Sequence, residues 1–136
     1  MSRLTESAHD FSFVRGIAAA SAIYDGAVGI FLLVAADQLA GLFGVQPPQP
    51  RIFSDLNGLF LTFVAVGYYW PYRDPARGRW YLWVMGVGLK GAGAAAFLAD
   101  YFLRHSPASF LLFAASDGTL ALLTLAALLR ASSRTT

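Results

Sequence analysis

One apolar stretch decides the fold class: residues 80–102 read WYLWVMGVGLKGAGAAAFLADYF. At 1.5 Å per residue a helix of this length spans roughly 35 Å, which is enough to cross a hydrocarbon core of ~30 Å. Three further stretches are of similar length and lie at about 17–36, 52–72 and 108–129. The sequence therefore predicts an all-α integral membrane protein, folded as an antiparallel four-helix bundle in a single domain over residues 1–136.

The composition supports a lipid environment. Apolar residues make up 57% of the chain and charged residues 13%, against about 25% charged in soluble domains. A soluble protein of this size could not hide so much apolar surface from water.

The connections between the stretches favour short turns. Residues 46–50 contain three prolines, residues 73–79 are rich in Arg, and residues 104–107 end in Pro107. Proline removes a backbone donor and ends helices. Short loops predict that consecutive helices are antiparallel neighbours.

The arginines predict the orientation. One side of the predicted bundle carries seven arginines and the other carries two, Arg51 and Arg104. The positive-inside rule then places both termini in the cytoplasm. Abundant Ala and Arg are typical of GC-rich bacteria, so the expected location is the bacterial inner membrane, crossed several times. The first fourteen residues are more polar and are expected to lie on the membrane surface or to be disordered.

Several classes of site are excluded by residue usage. The chain has no cysteine, and its two histidines, His9 and His105, lie outside the apolar stretches. No metal site and no cofactor is therefore predicted. The arginines are scattered without interleaved aromatic residues, so no nucleic-acid partner is expected.

Three ionisable residues lie inside the apolar stretches. Helix rise places Asp25, Lys90 and Asp117 about 12, 15 and 18 Å from the inner end, which is one layer of the bundle. A charge at this depth costs ~2.5–3.5 kcal/mol on insertion scales, and such residues often bind protons or ligands. Two acids around one amine sum to −1, so a proton, a cation or a ligand amine would complete the layer. A structural ion pair that fixes helix register is the equal alternative.

Two polar residues of the second stretch extend this candidate site. Asn57 and Asp55 are predicted nearer the outer surface, where Arg51, Asp100 and Arg104 would join them in a polar vestibule. Gly88, Ala92 and Ala96 recur at four-residue spacing in the third stretch. Such a row predicts a face for tight helix packing, within the chain or against a partner.

A few residues carry a resemblance to known proteins. The chain resembles small, mostly uncharacterised bacterial membrane proteins of the DoxX-like kind, through the following residues: Tyr69, Arg73-Asp74-Pro75, Arg77, Lys90-Gly91 and Asp117-Gly118. The resemblance implies a four-helix fold and an accessory or assembly role in the inner membrane. It implies no catalytic residues.

Three functions remain open from the sequence. The first is an accessory or binding subunit for a lipid, a quinone-like ligand or a larger membrane complex, with the lipid bilayer, a membrane protein or a second copy of the chain as partner. The second is a small proton-coupled transporter that works as an oligomer. The third is a membrane-embedded isomerase with Asp25 or Asp117 as acid or base, and a non-enzymatic role is favoured over it.

Overall fold

The computed structural model describes residues 2–132, and their side chains from residue 11 onward. Every regular element in this range is helical. The elements are, in chain order, α1 (Ser2–Val34), α2 (Ala36–Phe43), α3 (Ile52–Gly67), α4 (Tyr69–Arg73), α5 (Arg79–Tyr81), a π-helix (Leu82–Leu89), α6 (Lys90–Arg104), a 3-10 turn (Ala108–Phe110) and α7 (Leu111–Ser132). The predicted all-α fold is confirmed for these residues.

Four helical segments are long and apolar enough to cross a membrane. The first is part of α1, the second joins α3 to α4, the third joins α5, the π-helix and α6, and the fourth joins the 3-10 turn to α7. They cover Phe11–Val34, Ile52–Arg73, Arg79–Arg104 and Ala108–Ser132. The predicted stretches agree with these bounds within a few residues, except at the first.

The start of the chain differs from the prediction. A surface-lying or disordered segment was expected over the first fourteen residues, yet α1 begins at Ser2 and continues without a break. Val14 and Ile17 are both buried in the core cluster. Because apolar residues follow a helical period from Val14 onward, packing against the bundle carries the helix past the predicted start.

Contacts show that neighbouring segments run antiparallel. Along the first two segments, Gly26 lies opposite Ala65 and Gly29 lies opposite Gly58. A Cβ at Gly29 would lie 2.8 Å from the Gly58 carbonyl oxygen, so only glycine permits this approach of the two backbones. The third and fourth segments also run antiparallel, since Gly91 of α6 faces Ala121 and Gly86 of the π-helix faces Thr124.

The first and last parts of the described chain lie at the same end of the bundle. The Phe13 ring lies 6.0 Å from the Arg130 guanidinium. At the same end Tyr68 and Tyr81 are buried edge to face, with ring centroids 5.2 Å apart. The Tyr81 hydroxyl donates to the Val64 carbonyl oxygen at 2.5 Å. This end holds most of the buried apolar cluster.

The predicted packing row of the third segment faces outward. Gly88, Ala92 and Ala96 are all exposed, whereas Lys90 and Ala94 are buried. Positions two residues apart on an α-helix differ by about 200° around its axis. Since the ion layer turns Lys90 inward, Ala92 must point away from the bundle. Within the described chain the row is therefore not a packing face, and contact with a partner stays a prediction.

Candidate functional site

The structure brings the three ionisable residues into contact. Lys90 Nζ donates to Asp25 Oδ1 at 2.5 Å and to Asp117 Oδ1 at 3.4 Å. The exposed fractions of the three side chains are 3% for Lys90, 4% for Asp25 and 17% for Asp117. Lys90 is therefore tied closely to Asp25 and more loosely to Asp117.

Three different helices supply this cluster. Asp25 belongs to α1, Lys90 is the first residue of α6 after the π-helix, and Asp117 belongs to α7. Helix α1 packs mainly against α3, and α6 packs mainly against α7. The Lys90–Asp25 bond therefore crosses between two helix pairs, whereas the Lys90–Asp117 bond stays within one.

Aromatic and hydroxyl groups support the cluster from one side. The Lys90 ammonium lies 4.8 Å from the centroid of the Tyr24 ring, a distance typical of a cation–π contact. The Tyr24 hydroxyl shares a hydrogen bond of 2.6 Å with Ser116 Oγ. Ser116 precedes Asp117 in α7, so this bond also fixes the position of that carboxylate relative to α1.

A cavity of about 610 Å³ lies next to the cluster, and Asp25, Lys90 and Asp117 all line it. This volume falls in the range of small-molecule sites, roughly 300–1,000 Å³. Its walls are mostly apolar and include five phenylalanines, Phe43, Phe60, Phe97, Phe110 and Phe113. Charged groups thus occupy one part of a cavity that is otherwise suited to hydrocarbon or aromatic rings.

Short helix α2 forms a wall of the cavity that the sequence prediction missed. Ala36, Leu39, Ala40 and Phe43 line the cavity. Their i, i+3, i+4, i+7 spacing is the signal of an amphipathic helix, and it could have been found. Gly44 ends the helix with φ of 69°, the left-handed conformation that glycine favours at this position.

Aromatic stacking attaches α2 to the fourth segment. The rings of Phe43 and Phe113 are stacked with centroids 4.7 Å apart, and Phe97 stacks on Phe113 at 5.3 Å. Ser109 Oγ donates to the Phe43 carbonyl oxygen at 2.7 Å. The end of α2 is therefore held by a ring contact and a hydrogen bond together.

Of the two site residues predicted in the second segment, Asn57 and Asp55, one lines the cavity and the other does not. Asn57 lines the cavity. Asp55 does not line it and instead pairs with Arg51 at 3.6 Å, while Arg51 also lies 3.6 Å from Asp37. Because Asp55 and Asn57 are two residues apart on a helix, they cannot share a face.

The predicted vestibule of five polar residues is not formed among the residues that the structure describes. Arg104 pairs with Asp100 at 3.1 Å, and Ser106 donates to the same carboxylate. Arg51 instead bonds Asp37 and Asp55, so the two groups stay apart. The vestibule is replaced by two surface ion-pair clusters, which contribute little to stability when exposed.

Two buried hydroxyls, those of Ser21 and Tyr68, lie close to each other on one side of the cluster. Among the described residues neither has a hydrogen-bond partner other than the other hydroxyl. Ser21 lies four residues before Asp25, which is one helical turn nearer the end where Tyr68 and Tyr81 pack. Buried hydroxyls of this kind are usually bonded to protein or to an ordered water.

No group of three or more His, Cys, Asp or Glu side chains in the described part of the chain is arranged to hold a metal ion. Comparisons with protein-family models, with curated proteins and with solved structures found no match for this chain. The cavity and its ion cluster are therefore the features of this chain that bear on its function.

Proposed function

We propose that this chain is a multi-pass protein of the bacterial inner membrane that binds an amphipathic small molecule in the cavity beside Asp25, Lys90 and Asp117. The cavity is the observation that carries the proposal. Its apolar lining suits a hydrocarbon or aromatic body, and its ionisable groups suit one polar end. Such a protein would act as an accessory or binding subunit, which is also the role that the DoxX-like resemblance implies.

Membrane insertion of the four segments is part of the proposal. Many large apolar side chains point outward, among them Phe63, Leu103 and Leu122. The core contains several small residues instead, such as Ala18 and Ala127. An apolar exterior around closely packed helices is the arrangement that a lipid solvent favours.

The orientation follows from the charges. The end that holds Phe13 and Arg130 would face the cytoplasm, because most of the arginines lie there. The loop that contributes Val45, Gln46 and Pro48 to the cavity would then lie on the outer side. We therefore propose that ligand reaches the cavity from the outer leaflet or the space beyond it.

A pair of probes and a pair of variants test the binding function. The protein is placed in nanodiscs of zwitterionic lipid, and naphthylethylamine and naphthylethanol are each measured by equilibrium dialysis against empty nanodiscs. Val28 lines the cavity, so Val28→Trp should obstruct it and weaken binding. Val66 is exposed on the outside, and Val66→Trp is the matched control that should bind normally.

Either of two results would contradict the proposal. One is that neither probe binds the parent protein beyond partition into the lipid. The other is that Val28→Trp and Val66→Trp bind equally well, which would place the bound probe outside the cavity.

A second function is favoured by the buried Ser21 and Tyr68 hydroxyls, which lie close to each other. Ser21 Oγ and the Tyr68 hydroxyl lie on the opposite side of Asp25 from the cavity loop. If water bridged these hydroxyls, they would extend a polar path from the ion cluster toward the inner end of the bundle. Proton coupling requires such a path, and the candidate function is a small proton-coupled transporter that works as an oligomer. Proton movement into liposomes that stops in Asp25→Asn and slows in Tyr68→Phe would support this function.

A further inference from the structure

We propose that the ligand carries a protonated amine on an apolar body, and that this amine pairs with Asp117. The inference rests on the proposed binding function and names the chemical class of its ligand. It follows from the unequal bonding of the two carboxylates, the charge of the cluster and the chemistry of the cavity walls.

The two carboxylates differ in how far they are already satisfied. Lys90 Nζ is 2.5 Å from Asp25 Oδ1 but 3.4 Å from Asp117 Oδ1. Among the described residues each carboxylate accepts a hydrogen bond only from Lys90, and the longer bond to Asp117 is the weaker one. Asp117 is also the more exposed of the two, at 17% against 4% for Asp25, and it lines the cavity. Asp117 is therefore the group of the cluster that can take a new donor.

Space is available beside the Asp117 carboxylate. Gly93 and Asp117 both line the cavity. A Cβ built on Gly93 would lie 3.3 Å from Asp117 Oδ2, which is closer than most Cβ contacts in proteins. Because Gly93 carries no side chain, a ligand group can approach Oδ2 from the cavity.

The charge of the cluster favours a cation. With all three groups ionised, two carboxylates and one ammonium sum to −1. In a low-dielectric site this surplus charge is costly unless an opposite charge is present. A ligand ammonium paired with Asp117 brings the net charge of the cluster to zero, and the Lys90–Asp25 ion pair is retained. Competition with Lys90 is thereby avoided, since Lys90 keeps its closer partner.

The walls define the rest of the ligand. Phe97, Phe110 and Phe113 line the cavity together with Leu89 and Leu61. These side chains offer ring faces and methyl groups and no further charge. An apolar or aromatic body attached to a single amine matches this division between one charged point and an apolar wall.

The two naphthyl probes test this inference because they differ chiefly in the group that would meet Asp117. Near neutral pH the amine is protonated and the alcohol is neutral. A hydrogen bond to a charged group predicts that the amine binds the parent protein about tenfold or more tightly than the alcohol. Asp117→Asn should bring the amine close to the alcohol. Asp55→Asn, which neutralises a carboxylate outside the cavity, should leave the preference unchanged.

The outcomes separate this inference from the function beneath it. If neither probe binds, the proposed function fails together with the inference. If both bind and the alcohol equals or exceeds the amine, the amine assignment alone is overturned. If the amine is preferred equally by the parent and Asp117→Asn, the role of Asp117 is overturned. Should Asp117→Asn fail to fold, the comparison of the two probes on the parent protein still decides between an amine and a neutral ligand.

Discussion

Replacement of Lys90 by methionine tests whether the ion cluster holds the bundle together. Methionine is close to lysine in length and keeps the apolar part of the side chain. The change leaves Asp25, which is only 4% exposed, without its cation 2.5 Å away. Removing one partner of a buried pair typically costs about 3–5 kcal/mol. We expect the free energy of unfolding of Lys90→Met to fall by about that amount.

The assay compares unfolding of purified proteins in mild detergent as the fraction of denaturing detergent rises, followed by far-ultraviolet circular dichroism. Arg104→Met is the matched control, because it removes a basic residue from the same helix. Arg104 pairs with Asp100 at 3.1 Å, but its side chain is 81% exposed. Exposed pairs contribute about 0–1 kcal/mol, so this control should remain close to the parent.

A double variant checks the physical reason. Replacing a buried pair by apolar residues of similar size is often neutral. Asp25→Leu combined with Lys90→Met should therefore recover most of the stability that Lys90→Met loses. Equal stability of Lys90→Met and Arg104→Met would show that the ion pair does not hold the bundle together. Lys90 would then be retained at a cost to the fold, which would point to a working role for the cluster.

Three further predictions follow from the packing and the topology. Gly29→Ala places a Cβ 2.8 Å from the Gly58 carbonyl oxygen and should lower the free energy of unfolding by about 1–3 kcal/mol. Gly16→Ala, whose Cβ would meet open space, should not lower it, and equal values for the two variants would contradict the close contact. Since the chain has no cysteine, single variants report orientation: a membrane-impermeant maleimide should label Gln49→Cys in intact spheroplasts but Ala76→Cys only after lysis, and the reverse would invert the topology. Phe43→Ala removes the ring that stacks on the fourth segment, and hydrogen exchange of α2 amides should accelerate roughly fivefold or more; unchanged exchange would show that α2 is held by other contacts.

The long helices were predictable because their signal is repeated over many residues. The stretch at 80–102 contains one charge in its first twenty residues, Lys90, and no proline. Backbone hydrogen bonding in an apolar surrounding allows little except a helix over such a length. The details at the ends depend on packing. The sequence alone could not predict that α1 continues through Val14 or that the second segment is interrupted at Tyr68, because both depend on tertiary contacts.

The ion cluster was predictable for a different reason. Depth along a helix follows from residue counting alone, so Asp25, Lys90 and Asp117 could be assigned to one layer. Rotation around the helix axis could not be assigned in the same way. Two-residue spacing already separates Ala92 from Lys90 and Asp55 from Asn57, but only the structure shows which member of each pair faces inward. The cavity itself depends on α2, whose helical spacing can be read from the sequence although eight residues are too few to predict where such a helix packs.

The position of Lys90 between two helix pairs has a thermodynamic consequence. Its close bond to Asp25 joins α6 to α1, while its longer bond to Asp117 lies within the α6–α7 pair. A ligand bound to Asp117 would leave the Lys90 ammonium bonded to Asp25 alone, and this would strengthen the connection between the α1–α3 pair and the α6–α7 pair. By thermodynamic reciprocity, a force or a partner protein that pulled the two helix pairs apart would weaken ligand binding by the same free energy. Occupancy of the cavity would then report mechanical strain across the bundle.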